Sequence, residues 1–254
     1  MLRHAAPRGL ALALALALRA PARAFAAALA DPVESQLAAI YAGLPDVHDL
    51  PADEILAVEA SGGHEAYGEL TPAGVREVLA RLGASAGDVL ADLGSGCGRM
   101  VLQCALESPW LRAVGVELSP TRHRVAVEAR RQCERMAGAH TARRITLLEG
   151  DMLSPQLAGA LDDATIVYVA SLLFDDSFMQ RLGRMLAERP RVRAIATLSR
   201  FPSGALPGFR EDESNFPPDE QVLDRRVEVT WGAARVYLYH KVDESLKSQS
   251  KQSE

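Results

Sequence analysis

The chain has 254 residues, 48% of them hydrophobic, which is enough for one α/β domain with a sizeable core and short extensions. Its formal charge is −5, but the first 30 residues hold Arg3, Arg8, Arg19 and Arg23 and no acid. Without those four, 24 basic and 33 acidic side chains remain, a balance of −9. Broad capture of nucleic acid needs cations that displace phosphate counterions, so no direct nucleic-acid binding is expected of this body. Cys97, Cys104 and Cys133 form no Cys-x-x-Cys pair and no metal-ligand spacing, so they read as small buried apolar residues and no metal site is expected.

Residues 1–30 read as a targeting segment. Leu10 to Leu18 is a Leu/Ala run of nine residues, too short to span a bilayer, which takes about 20. Ala24-Phe25-Ala26 offers small residues to a signal peptidase, and the acid-free, Arg-bearing composition also suits a mitochondrial presequence. The stretch around Phe25 further resembles the Ala-Phe-Ala junction of two-part plastid leaders. The expectation is an organellar protein, mitochondrial or plastid, with the nucleus as alternative and no transmembrane segment in the mature chain.

Asp31 to Leu44 predicts a helix, with Asp31 as cap, Pro32 in the first turn, and Val33, Leu37, Ile40 and Tyr41 at helical spacing. A Pro/Asp-rich turn over Pro45 to Pro51 and a Gly-containing loop over Ser61 to Glu69 complete an extension of residues 31–70. Thr71 and Pro72 then open a helix carrying Val75, Val78, Leu79 and Leu82 on one face. From there strands and helices alternate: strand Asp88–Leu93, helix Arg99–Glu107, strand Arg112–Glu117, helix Pro120–Ala137, strand Ile145–Leu148, strand Thr165–Ala170, helix Asp176–Glu188 and strand Val192–Leu198. Such alternation predicts a parallel sheet with right-handed crossovers. After a Pro-rich acidic loop from Phe201 to Glu220, the runs Arg226–Trp231 and Arg235–Lys241 read as a hairpin turning at Gly232-Ala233-Ala234. The fold class is therefore α/β, a Rossmann-like seven-stranded, mostly parallel sheet whose last strand is antiparallel, with helices on both faces and a short helical N-terminal extension. The domain proper is expected to span residues 71–245, and residues 246–254 read as a polar, mobile tail.

The chemical centre is Val89-Leu90-Ala91-Asp92-Leu93-Gly94-Ser95-Gly96-Cys97-Gly98, a strand that runs through three glycines into a helix. Dinucleotide sites use Gly-x-Gly-x-x-Gly to seat a pyrophosphate on a helix N-terminus. Here the spacing is Gly-x-Gly-x-Gly with an acid two residues ahead, and a carboxylate there repels phosphate but suits the cationic amino-acid end of S-adenosylmethionine. Glu117 closes the next strand, 25 residues on, where an acid accepts from ribose hydroxyls. Gly150-Asp151-Met152 follows the third strand, placing Asp151 for the adenine amino group and Met152 for the ring. Asp92, Gly94, Gly96, Glu117, Asp151 and Met152 are thus the expected cofactor residues, and the expected activity is methyl transfer from S-adenosylmethionine. The readings set against it are a nicotinamide-dependent dehydrogenase, a small-molecule methyltransferase, and a binding module without chemistry.

Three stretches carry a family resemblance: Tyr67-Gly68-Glu69-Leu70-Thr71-Pro72, Asp92 through Gln103, and Val114-Gly115-Val116-Glu117. They resemble the non-SET histone-lysine methyltransferases, the family named for disruption of telomeric silencing. The resemblance implies a protein-lysine N-methyltransferase in which Tyr67 sits over the cofactor beside a lysine channel. It also places Tyr237 as an active-site tyrosine. This sequence departs from the family at several positions. The family's asparagine after the fourth strand becomes Ala170, with Ser171 as a replacement polar group; Leu70 stands for a threonine, and Arg99 for the glutamine of nucleosome-acting members. Tyr67, Phe174, Phe201 and Tyr237 are the aromatic candidates for the channel, His64 is the one candidate proton acceptor, and Trp231 reads as structural. Tyr67-x-x-x-Thr71-Pro72 and Arg200-Phe201-Pro202 also resemble the mitochondrial lysine methyltransferases that modify membrane carriers and the ATP synthase ring. The expected partner is accordingly a protein lysine, on an organellar protein or a histone.

Overall fold

The computed structural model describes residues 31–212 and 226–242. The predicted targeting segment and the polar tail from residue 246 lie outside the described residues. Seven strands form one sheet in the order β3-β2-β1-β4-β5-β9-β6, where β1 is Val89–Leu93, β2 Arg112–Glu117, β3 Ile145–Glu149, β4 Ile166–Val169, β5 Ala194–Thr197, β6 Phe209–Glu211 and β9 Tyr237–Lys241. β9 runs antiparallel to both β5 and β6, while β1 to β5 pair in parallel. The expected architecture is therefore observed. The chain leaves β1 toward β2 on one side and reaches β4 on the other, which creates a switch point at the carboxyl ends of the strands.

Both faces of the central strands are buried, which is why these strands read as unbroken apolar runs. Leu90, Ala113, Ile166 and Ala194 point to one layer, packed with Leu37 and Ile40 of α1 (Pro32–Tyr41), Val75 and Val78 of α3 (Pro72–Arg81), and Met100 and Val101 of α4 (Arg99–Glu107). Their neighbours Val89, Val114, Val167 and Ile195 point the other way, onto Phe178, Met179, Leu182 and Leu186 of the helix Asp176–Ala187. Sequence-read caps hold: Asp31 Oδ1 accepts from Val33 N at 2.9 Å, and Thr71 Oγ1 from Gly74 N at 3.2 Å. The three cysteines are buried and free. No helix among the described residues is long and apolar enough to cross a membrane.

Three local features differ from the sequence reading. A further helix, α2 (Ala52–Ser61), precedes the glycine-containing loop; only Val58 of it is buried, so it has no apolar stripe to read. The loop after Phe201 contains β6, a strand of three residues that pairs with β9. The hairpin is also displaced. Its strands are β7 (Arg226–Val229) and β8 (Gly232–Arg235), turning at Thr230-Trp231, and they form a separate ribbon, while β9 joins the main sheet. The Gly-Ala-Ala run extends as a strand because Ala233 and Ala234 find backbone partners in Glu228 and Val227.

Candidate active site

The carboxyl ends of β1 to β5 open on a cavity of about 380 Å³, within the range of small-molecule sites. Asp92, Gly94 and Gly96 line it from the β1 turn, Glu117 from β2, Asp151 and Met152 after β3, Ala170 to Phe174 (except Ser171) after β4, and Leu198 after β5. Tyr67, Gly68 and Glu69 close it from the loop before α3, and Trp231 from the ribbon. All six expected cofactor residues and Tyr67 are thus brought together.

Charge is concentrated on the glycine-loop side. Asp92 is 4% exposed, and among the described residues no N–H or O–H donates to its carboxylate. Burial, with Glu117 and Glu69 nearby, pushes the Asp92 carboxyl up to about 8. Glu117 is better satisfied: Oε2 accepts from Gly96 N at 2.7 Å and Oε1 from Ser119 N at 2.8 Å. Burial still raises its pKa, against those two N–H groups. Asp151 Oδ1 accepts from Leu153 N at 2.8 Å, which turns the chain after β3 and leaves Oδ2 for a ligand. A buried acid without a donor beside a cavity is an incomplete arrangement, and a cationic ligand group completes it.

Tyr67 is held by its hydroxyl, which donates to Glu69 Oε1 at 2.5 Å and accepts from Cys97 N at 3.1 Å. The Arg122 guanidinium lies 4.8 Å from the Tyr67 ring centroid. The ring packs so closely on the β1 turn that a Cβ on Gly96 would fall 2.5 Å from Tyr67 Cε2, and Gly96 has a φ of +54°. Glycine is therefore required at 96 on two counts. Glu69 carries the chain of contacts on: its Oε2 pairs with Arg99 Nε at 2.7 Å, and the Arg99 guanidinium lies 3.9 Å above the Tyr41 ring. Burial raises the Glu69 pKa, with Arg99 opposing it. Tyr67 thus anchors the glycine turn as well as lining the cavity. Tyr67→Phe strips Cys97 N–H and Glu69 of one partner each, and about a tenfold loss of cofactor affinity in calorimetry is expected. Unchanged affinity would mean that the hydroxyl does not hold the turn.

The structure does not bring Tyr237 or Ser171 to the cavity wall. Tyr237 pairs with Thr197 in the β5–β9 ladder, and its ring lies 5.7 Å from the Arg200 guanidinium. Ser171 is 0% exposed and its Oγ accepts from Ser199 N at 3.0 Å, so it ties the β4 loop to the end of β5. Phe201 is a core residue, edge-on to Tyr239 at 5.2 Å, whereas Phe174 lines the cavity and packs, tilted by 60°, against Phe178 at 4.7 Å. His64 also lines it, with Nδ1 3.2 Å from Glu65 Oε2.

Among the lining residues to which the sequence assigned no role are Glu69 and Arg122 as charged walls, Tyr168 on β4 opposite Asp92, Leu172 and Leu173, and Trp231. Trp231 is 49% exposed and stands on Gly68, where a Cβ would lie 1.9 Å from ring atom Cζ3. The ribbon is seated by Thr230 N donating to Glu69 O at 2.8 Å and Thr71 N donating to Glu228 O at 3.1 Å. A glycine three residues before a helix-capping threonine was the available signal for this close approach.

Comparison with known proteins agrees with this geometry. The family described as histone methylation protein DOT1 matches residues 50–239. A histone-lysine N-methyltransferase, H3 lysine-79 specific, from Cryptococcus neoformans is 30% identical over 159 residues, covering 61% of this chain and 24% of that protein. Its Drosophila melanogaster counterpart is 28% identical over 192 residues, covering 72% of this chain and 10% of that protein. The chain thus spans a quarter or less of either relative. Among solved structures, a Klebsiella pneumoniae protein described as a candidate O-methyltransferase superposes with a TM-score of 0.50 at 16% identity, covering 84% of this chain and 91% of that one. With the family match running from α2 into β9, across every wall of the cavity, this chain belongs to the DOT1 histone methylation protein family.

Proposed function

We propose that this chain is an S-adenosylmethionine-dependent protein-lysine N-methyltransferase. The single observation that carries the reading is the division of one cavity into a charged half, built on Asp92, Glu117, Asp151 and Arg99, and an apolar half, built on Ala170, Phe174, Leu198 and Trp231. S-adenosylmethionine fits the charged half: its ammonium suits the donor-starved Asp92, its carboxylate Arg99, its ribose hydroxyls Glu117, and its adenine Asp151 and Met152. When bound, it supplies a methyl group on a sulfonium, open to displacement by a neutral amine.

The apolar half prepares that amine. A lysine ammonium loses its proton near pH 10.4 in water, and an apolar, aromatic surround depresses that value by desolvation. The aromatic faces of Trp231 and Phe174 also suit a methylated cation. Displacement then depends on alignment, with the reacting atoms about 3–3.5 Å apart. The relatives' names favour a histone as acceptor and the nucleus as the place, while the Arg-bearing N-terminal composition favours an organellar protein.

The test is radiolabelled methyl transfer by the full chain to nucleosomes, free histones and an organelle membrane extract, with Glu117→Ala as control. Histone labelling that the control abolishes is the expected result. Labelling of a discrete membrane protein instead would move the acceptor to the organelle. If no protein is labelled although cofactor binds, the acceptor is a small molecule and the proposal fails.

A further inference from the structure

We infer that the turn Ser171–Phe174 and the tip of the ribbon form an apolar seat that selects protein substrates whose acceptor lysine is flanked by large apolar side chains. This rests on the lysine reading above and adds the substrate class to it.

Six large hydrophobic side chains are exposed among the described residues, and three of them, Leu172 at 47%, Leu173 at 51% and Trp231 at 49%, line this one cavity. Single exposed leucines are ordinary on a protein surface, but a cluster at the mouth of a cavity marks a contact surface. The leucines occupy the two corner positions of a β-turn closed by Phe174 N donating to Ser171 O at 3.1 Å. Such corners normally carry Gly, Pro, Asn, Asp or Ser, so local turn chemistry does not account for two leucines.

Nor are the leucines exposed because the turn is loose. Ser199 N donates to Ser171 Oγ at 3.0 Å, and Ser199 Oγ to Leu172 O at 3.3 Å, fixing the turn to the end of β5. Residues 169–174, Val-Ala-Ser-Leu-Leu-Phe, contain no charge. The cavity's carboxylates sit at the ends of β1 to β3 and in the loop before α3, so the polar and cationic groups of the cofactor have their partners away from this turn. What covers the leucines is therefore brought by the acceptor. A lysine in a polypeptide arrives with neighbours spaced about 3.3–3.6 Å apart, within reach of a rim beside the lysine's own channel.

The experiment uses the full chain and two sets of peptides of equal length, each with one central lysine flanked by Leu and Phe or by Ser and Gln. The wild type is expected to show a KM about tenfold lower for apolar flanks, with kcat little changed. The double variant Leu172→Ser, Leu173→Ser is expected to erase that preference while its S-adenosylhomocysteine affinity stays put. Both leucines are exposed, so the variant tests recognition rather than folding. Equal KM for both sets, or a preference that survives the double variant, would overturn the inference and leave the lysine reading standing. Flotation with phosphatidylcholine–cardiolipin vesicles that depends on the leucines, without peptide preference, would assign the seat to a membrane and overturn it too. Transfer to neither set, with cofactor bound, would take down the lysine reading and this inference with it.

Discussion

Asp92→Asn is expected to lower the affinity for S-adenosylmethionine by about a hundredfold while making the cofactor-free protein more stable at pH 8. The affinity loss follows from removing one partner of a buried charge pair, which typically costs 2–5 kcal/mol. The stability gain follows from the other face of the same carboxylate. Burial, with Glu117 and Glu69 nearby, holds the Asp92 carboxyl at about 8 against an ordinary 3.8. Between those values the folded chain binds a proton that the unfolded chain has released, so the stability of the cofactor-free protein falls as pH rises through that window. Asparagine removes the titration, and thermal melting of the variant should be flatter with pH than that of the wild type. Cofactor affinity runs the opposite way. A cationic ligand needs the ionised carboxylate, so wild-type affinity should drop about tenfold per pH unit below about 8, a slope the variant lacks. Calorimetry between about pH 6 and 7.5 reads this before the ligand's own amine titrates. A wild-type profile without slope would mean that Asp92 is already ionised and paired.

Gly68→Ala should separate acceptor recognition from cofactor recognition. The φ of Gly68 lies outside the left-handed region, so alanine is allowed by the backbone. What it meets is the Trp231 ring, at 1.9 Å. Trp231 is half exposed, so the ring can swing toward solvent rather than force the loop apart. The expected result is a rise of about tenfold or more in the acceptor KM, the order lost when a buried aromatic contact goes, with a much smaller change in cofactor affinity. Trp231→Ala should reproduce the loss, and adding Gly68→Ala to it should cost little more, because the two substitutions remove the same contact. Additive losses would show that Gly68 acts through the Tyr67–Glu69 loop instead.

The site was legible where it depends on strand ends and illegible where it depends on chains folding back. Asp92, Glu117 and Asp151 stand at or just past the carboxyl ends of the parallel strands β1, β2 and β3, and a doubly wound sheet gathers such positions at one edge whatever the details. Glu69 and Trp231 reach the cavity only because the ribbon β7–β8 seats on the loop before α3, a contact between residues about 160 apart with no periodicity to announce it. Tyr237 shows the same limit from the other side. Its place is set by pairing with Thr197, and a strand's pairing decides which side chains face which layer. The helix α2 was missed because its hold on the fold is polar: Glu54 accepts from Thr121 N at 3.1 Å and Thr121 Oγ1 at 2.6 Å, and apolar spacing carries no trace of that.

Those polar ties reach further than α2. Tyr41 at the end of α1 donates to Cys97 O at 2.8 Å, Glu54 caps the helix Pro120–Ala137 that carries Arg122, and Arg122 in turn donates to Glu65 O. The two helices before residue 71 are therefore part of the clamp on the glycine turn. The sheet is not an interchangeable module that could be spliced, by recombination or by design, onto a new front end at Thr71. A crossover at that point would pass on the strands and their carboxylates but leave Tyr67, Glu69 and the buttress behind the turn with the discarded half. Among the described residues, the inheritable unit includes α1.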